Sequence, residues 1–141
     1  MTKTKILTIG EYGLLFLLGA LLYPVLEIVF RGFSHWSMAL AGGICLAVIH
    51  LIDNNLKSRS LLLRCLISAI FITETEFLIG CAVNIIGGMN VWDYSHIPYN
   101  ILGQICPRFT FIWFLISFPA FLISRGASRI KKRIAKRTAD P

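Results

Sequence analysis

The sequence predicts an all-α integral membrane protein, a bundle of four transmembrane helices. Three observations lead there. Of its 141 residues, 56% are hydrophobic and only 15% are charged, whereas a soluble domain is about a quarter charged. The apolar residues fall into four long runs, and a membrane-crossing helix needs roughly 20 mostly apolar residues. The basic residues gather at the ends of those runs rather than inside them. Four spans with short connections fill residues 1–124 and leave no room among them for a soluble domain. Residues 125–141 read as a basic tail.

The first span covers about 7–30, with Glu11 near its start and Pro24 and Glu27 towards its end. Its opening imitates a secretory signal, but the apolar stretch continues to Phe30 without a small-x-small cleavage site. It is therefore expected to be retained as a span. After the polar stretch Arg31 to His35, a second span runs over about 36–52 and carries Gly42-Gly43, where another helix can come close. A charged, turn-rich loop from Asp53 to Arg59 leads to the third span, about 61–86, with Glu74, Glu76 and Asn84 inside it.

A loop of residues 87–99 follows, marked by Gly87, Gly88 and Asn90. The last span is placed at about 101–123, and its beginning has two readings. Asn100, Gln104, Pro107 and Arg108 are too polar for a lipid-facing turn. Either a short interfacial or re-entrant segment precedes a span starting near Phe109, or a longer span packs its first turns against protein. Irregular backbone at membrane depth is tolerated only where it is shielded from lipid. The polarity favours the interfacial segment.

Charge sets the expected orientation. With four crossings and a cytosolic C-terminus, twelve of the fourteen lysines and arginines lie inside, and only Arg31 and Arg108 lie at the outer side. That bias predicts both termini in the cytoplasm. The net charge of +7 comes largely from the tail, where Arg125, Arg129, Lys131, Lys132, Arg133, Lys136 and Arg137 follow an apolar span. Such a cluster suits anionic lipid headgroups, and no nucleic-acid-reading motif accompanies it. Ala127, Ile130 and Ile134 also fall on one side of a helix, so the tail reads equally as an amphipathic helix on the leaflet or as a disordered anchor.

This topology brings two polar segments, Glu27 to Trp36 and Trp92 to Gln104, to the outer side. On the third span Thr73, Glu76, Gly80 and Asn84 share one face, being three and four residues apart. Glu74 points away from Glu76, so the two are not an acid–base dyad. A carboxylate at mid-helix costs roughly 2.5–3.5 kcal/mol on an insertion scale and generally faces a bundle interior or a wet cavity. Glu27 and Glu76 are thus expected to meet Arg31, Arg108 or His35. Two readings stand side by side: a binding or proton-coupled site, and an internal ion pair that only locks the bundle.

Other chemistries have weaker signals. Trp36, Trp92, Tyr94, Tyr99 and Trp113 are aromatic candidates near the outer boundary, with Trp36 and Tyr99 read as members of an interfacial belt. Asp93, Ser95 and His96 invite a hydrolase reading, but neighbours in sequence are not a triad and no nucleophile elbow is present. His35 and His96 have no metal-ligand spacing with Asp93 or Glu27, and His50 reads as a core histidine. Cys45, Cys65, Cys81 and Cys106 stand singly and read as packing residues. No Walker-type phosphate loop exists in the sequence, so no cofactor or metal is expected.

Four motifs occur in order: Glu27-x-x-x-Arg31-Gly32-x-Ser34-His35-Trp36-Ser37-Met38; Gly42-Gly43-x-Cys45; Ile72-Thr73-x-x-Glu76-Phe77-x-x-Gly80-x-x-x-Asn84; and Val91-Trp92-Asp93-Tyr94-Ser95-x-x-Pro98-x-Asn100-x-x-Gly103-Gln104-Ile105-Cys106. Together they resemble small bacterial membrane proteins regarded as ABC-transporter permeases, the type IV ABC-transporter family. The resemblance covers about 11–124 and leaves out the basic tail. It implies a multi-pass permease component of a bacterial cell membrane, with a second copy or a separate ATPase as partner beside the bilayer itself. It carries over no catalytic residues. The candidate polar site is Glu27, Arg31, His35, Glu76, Asn84, Asp93, Tyr94, Asn100 and Gln104. Two alternatives are a membrane enzyme or binding protein for a lipid-linked or envelope substrate, and a structural or regulatory subunit.

Overall fold

The computed structural model describes residues 3–137. Residues 1–2 and 138–141, and the side chains of Lys3 and Thr4, lie outside the described residues, and with them the outermost parts of the predicted bundle and tail. The chain runs α1 (Lys3–Arg31), α2 (Trp36–Asn55), α3 (Leu61–Gly80) and α4 (Pro107–Arg137), with a π-helical stretch Cys81–Ile86 prolonging α3. All four helices are long and apolar enough to cross a membrane, and no strand forms among the described residues.

Local chemistry sets the ends. His35 is extended and caps α2, its Nδ1 accepting the Ser37 N–H at 3.3 Å. Ser60 caps α3 by accepting the Leu63 N–H at 3.3 Å. Proline is favoured in a first helical turn, where its missing N–H is no loss, and α4 begins at Pro107. That start lies near Phe109, as the favoured interfacial reading has it, and later than the 101 at which the longer span was placed. Residues 101–106 instead form a tight turn, with Ile101 N–H bonded to Ile105 O at 2.9 Å and with Leu102 and Gly103 at positive φ. At its other end α4 continues without a break to Arg137, so the described part of the tail is neither a separate surface helix nor irregular chain.

The closest helix pair is α1 and α2. Gly19 and Gly42 face each other so tightly that a Cβ on either would overlap the other's carbonyl. Helix α2 is the buried centre, with Cys45, Leu46 and Ile49 packed against Leu15 of α1, Cys65, Ala69 and Ile72 of α3, and Trp113, Ala120 and Phe121 of α4. All four cysteines are free thiols, three buried and Cys81 half-buried.

At the end of the bundle that carries the chain termini, ionic groups tie all four helices together. Glu11 of α1 accepts from Lys131 Nζ at 2.9 Å and Ser128 Oγ at 2.8 Å, both on α4. His50 of α2 is fully buried, 3.3 Å from Glu11 and 2.9 Å from Ser124 Oγ. Asp53 of α2 is paired with Arg64 of α3, and Arg125 of α4 lies 3.6 Å away.

Overpacking a tight helix contact costs about 1–3 kcal/mol. Gly42→Val is therefore expected to lower stability by that amount in detergent unfolding followed by circular dichroism. Gly126→Ala, where an added Cβ meets nothing within 4 Å, should leave stability equal or slightly higher.

Candidate functional site

The opposite end of the bundle is closed by residues 87–106, which fold into a cap. The cap has its own small core, in which Val91, Trp92, Tyr94 and Cys106 pack on Met38 and Val83. Two features of α3 let it seat. Gly80 has no side chain, and a Cβ there would come within 2.9 Å of the Trp92 ring and closer still to the Gln104 amide. The π-helical stretch then widens the helix, a distortion often found at functional positions, and Asn84 sits within it.

Asn84 is the hub of the cap. Its Oδ1 accepts the Val91 N–H at 2.6 Å, and its Nδ2 donates to Trp92 O at 3.0 Å and to Gln104 Oε1 at 2.8 Å. Gln104 donates to Leu102 O at 2.9 Å, and its own carbonyl accepts from Trp92 Nε1 at 3.0 Å. Every polar group of this buried amide pair is thereby used, as burial requires.

Beneath the cap lies Glu76, 4% exposed. Its Oε1 accepts from the Tyr94 hydroxyl at 3.1 Å and its Oε2 from Trp113 Nε1 at 2.9 Å. Both donors are neutral, and among the described residues no basic side chain reaches hydrogen-bonding distance of this carboxylate. Aromatic stacking fixes the donors: Tyr94 on Phe109 with centroids 4.4 Å apart, and Trp113 on Tyr23 at 5.6 Å. Burial, followed by the Glu76 charge, pushes the Tyr94 phenol well above the ordinary tyrosine value, so it stays protonated as a donor.

Glu27 and Arg31 pair along α1 at 3.3 Å. Ser34 Oγ donates to Glu27 at 2.7 Å, and Arg31 Nη2 donates to Val91 O at 2.7 Å. The ion pair thus pins α1 to the cap beside Asn84. His35 is drawn to Ser37 at the start of α2 and does not meet either glutamate. Arg108 is exposed at the start of α4 and does not pair with them among the described residues.

Asp93 and Asn100 shape the cap from outside. Asp93 is exposed and accepts from the Ser95 N–H and hydroxyl, both at 2.8 Å, which holds its carboxyl below the usual aspartate value. Since Ser95 donates to Asp93, the order needed for a Ser–His–Asp relay is not formed. Asn100 bonds Ile97 O at 2.8 Å and accepts from Gly103 N–H at 3.0 Å. Trp36 and Tyr99 are exposed, at 65% and 87%, as interfacial aromatics are.

Glu76, Tyr94, Asn84, Gln104, Glu27 and Arg31 therefore converge on the seam between cap and bundle. Residue patterns missed Trp113 as a direct partner of Glu76. The available signal was its place one helical turn beyond Phe109, on the face that turns inward. They also missed the ionic cluster at the termini end, whose members Glu11, Asp53 and Lys131 are far apart in sequence.

A family model described as Putative ABC-transporter type IV matches residues 20–139. The match thus reaches through the basic tail, which the motifs had left outside the resemblance. No solved structure matches the chain.

A buried polar group left without a partner costs about 1–3 kcal/mol. Asn84→Leu strands the Val91 N–H and the Gln104 side chain together. Hydrogen exchange read by mass spectrometry should show the amides of residues 91–105 opening at least about tenfold faster. The α1–α2 amides should be unchanged.

Proposed function

This chain belongs to the type IV ABC-transporter family, and from that premise we propose that it is the membrane-spanning subunit of a transporter, with Glu76 as its solute-facing group. The observation that carries this reading is the Glu76 carboxylate, buried yet held only by two neutral donors, one of which belongs to the cap. Lifting the cap removes Tyr94 from Glu76 and leaves an acceptor with Trp113 still in place. A solute bearing a cationic or hydrogen-bond-donating group is the natural replacement.

The reading places both termini in the cytoplasm, because the basic residues of the 56–60 connection and of the end of α4 then lie inside. The Glu76 site and the cap accordingly face outward. No phosphate-binding loop is present in the sequence, so energy comes from a separate ATPase docked on the cytoplasmic end. Helix α4 suits coupling, since its 31 residues reach about 46 Å at 1.5 Å per residue. It joins the basic end to Trp113. Pro119 lies between them inside the helix, where a missing hydrogen bond permits a bend. Four helices enclose little space, so two copies form one solute path.

Two outcomes test this. Ser95→Cys should react with a membrane-impermeant maleimide in intact cells, and Arg133→Cys only after permeabilisation; the reverse pattern overturns the orientation. Gentle isolation from native membranes followed by native mass spectrometry should return an ATPase bound to the chain. In that complex Glu76→Gln should keep assembly while reducing solute-stimulated ATP hydrolysis at least about tenfold, as expected when a binding hydrogen bond to a charged group worth about 1.5–3 kcal/mol is lost. A chain that is never associated with an ATPase removes the ATP-driven reading.

A further inference from the structure

Glu74 is the charged group of α3 that neither the cap nor the ionic cluster uses. It lies at the middle of the Leu61–Ile86 span and is exposed. Within the apolar stretches of the four helices it is the one exposed charged residue among those described, and no hydrogen bond or ion pair to it forms among them. Hydrocarbon offers no donor to a carboxylate at that depth, so such residues almost always face protein or water. Helix α1 provides the contrast. Every exposed residue from Leu14 to Phe30 is apolar, a surface that acyl chains cover without penalty.

The surroundings of Glu74 have the form of a packing surface. Leu66, Ile70, Leu78 and Ala82 are exposed at four-residue spacing, which makes one ridge with Glu74 at its centre. Beside it, between α3 and α4, runs an apolar groove of about 540 Å³ lined by residues that include Leu66, Ala69, Phe111 and Phe114. A ridge and a groove side by side on one face are self-complementary under a two-fold axis.

We propose that this face binds a second copy of the chain, with the two α3 ridges crossing at Glu74. The described basic side chains lie towards the ends of the spans, so a copy brings no cation to this depth. It does not need one. Two carboxyl groups sharing a proton supply both the donor and the acceptor, and the two-fold brings them together at the crossing. The inference rests on the two-copy transporter reading above and names the surface that joins the copies.

Stoichiometry in nanodiscs and in liposomes of increasing lipid dilution, read by native mass spectrometry and photobleaching steps, tests it. Wild type should be dimeric. Glu74→Leu should weaken dimerisation at least about tenfold, whereas Glu74→Gln, which keeps a donor and an acceptor, should stay within a few-fold of wild type. Oxidation should cross-link Leu78→Cys between copies but not Leu21→Cys on α1. Should Glu74→Leu fail to fold, the Leu78→Cys result still decides, since only that side chain changes. A monomeric wild type, an unaffected Glu74→Leu dimer, or cross-linking through Leu21→Cys overturns the proposal, as does a foreign membrane subunit seated on this face. An absent ATPase with an intact Glu74 dimer would instead count against the transport reading alone.

Discussion

Hydrocarbon gives a carboxylate nothing to accept from, and the buried acidic groups of this bundle are each answered by a neighbouring element. Glu11 takes Lys131 and Ser128 from α4. Asp53 takes Arg64 from α3. Glu27 takes Arg31 from its own helix and Ser34 from the turn that follows. Glu76 takes Tyr94 from the cap and Trp113 from α4. Because apolar side chains are nearly as content in lipid as against one another, packing alone specifies such a bundle weakly. These polar contacts fix which helix end meets which, and the tight Gly19–Gly42 approach then sets the spacing of the first pair.

The two ends satisfy the same constraint with different chemistry. At the termini end the partners include cations on two helices, Arg64 of α3 and Arg125 and Lys131 of α4. Removing one partner so that a buried charge is left unpaired costs about 3–5 kcal/mol. Beneath the cap the partners of Glu76 are neutral, and one comes from a connecting segment rather than from a helix. The termini end is thus held as a unit by the ends of four long helices. The cap end is held by a segment whose anchors, Asn84, Gln104 and Arg31, are hydrogen bonds at its seam.

Much of this was legible in the residues. Four spans follow from apolar length, and the three-four-four spacing of Thr73, Glu76, Gly80 and Asn84 placed one inward face. Glu76 and Asn84 do turn to the cap, Gly80 gives them room, and Thr73 bonds Thr110 of α4 at 3.0 Å. The same periodicity separated Glu74 from Glu76. What could not be read was pairing across large sequence distances. Arg108 looked as suitable as Arg31 for a glutamate, because depth along a helix does not reveal azimuth. Trp113 stood only as one of five aromatic candidates near the outer boundary, because aromatic content there does not tell lipid from protein. Polarity pointed to a non-helical segment ahead of α4, but not to its form, because the 101–106 turn depends on positive φ at Leu102, a conformation that leucine seldom adopts.

The uneven chemistry also bears on where motion is affordable to the fold. Opening the termini end separates ion pairs in a low-dielectric setting, where water reaches them only after the helices part. Opening the cap breaks mainly neutral hydrogen bonds, each a net change of about 0.5–1.5 kcal/mol once water replaces it. It also breaks two bonds to charged groups, Arg31 to Val91 O and Tyr94 to Glu76, at about 1.5–3 kcal/mol each. Among the described buried carboxylates only Glu76 has a donor in the cap, Tyr94, and its second donor, Trp113, stays on α4. A movement that begins at the basic end of α4 would therefore be expected to travel along that helix as a rigid shift or a bend at Pro119. It would be absorbed at the cap, the end where partner exchange is cheapest.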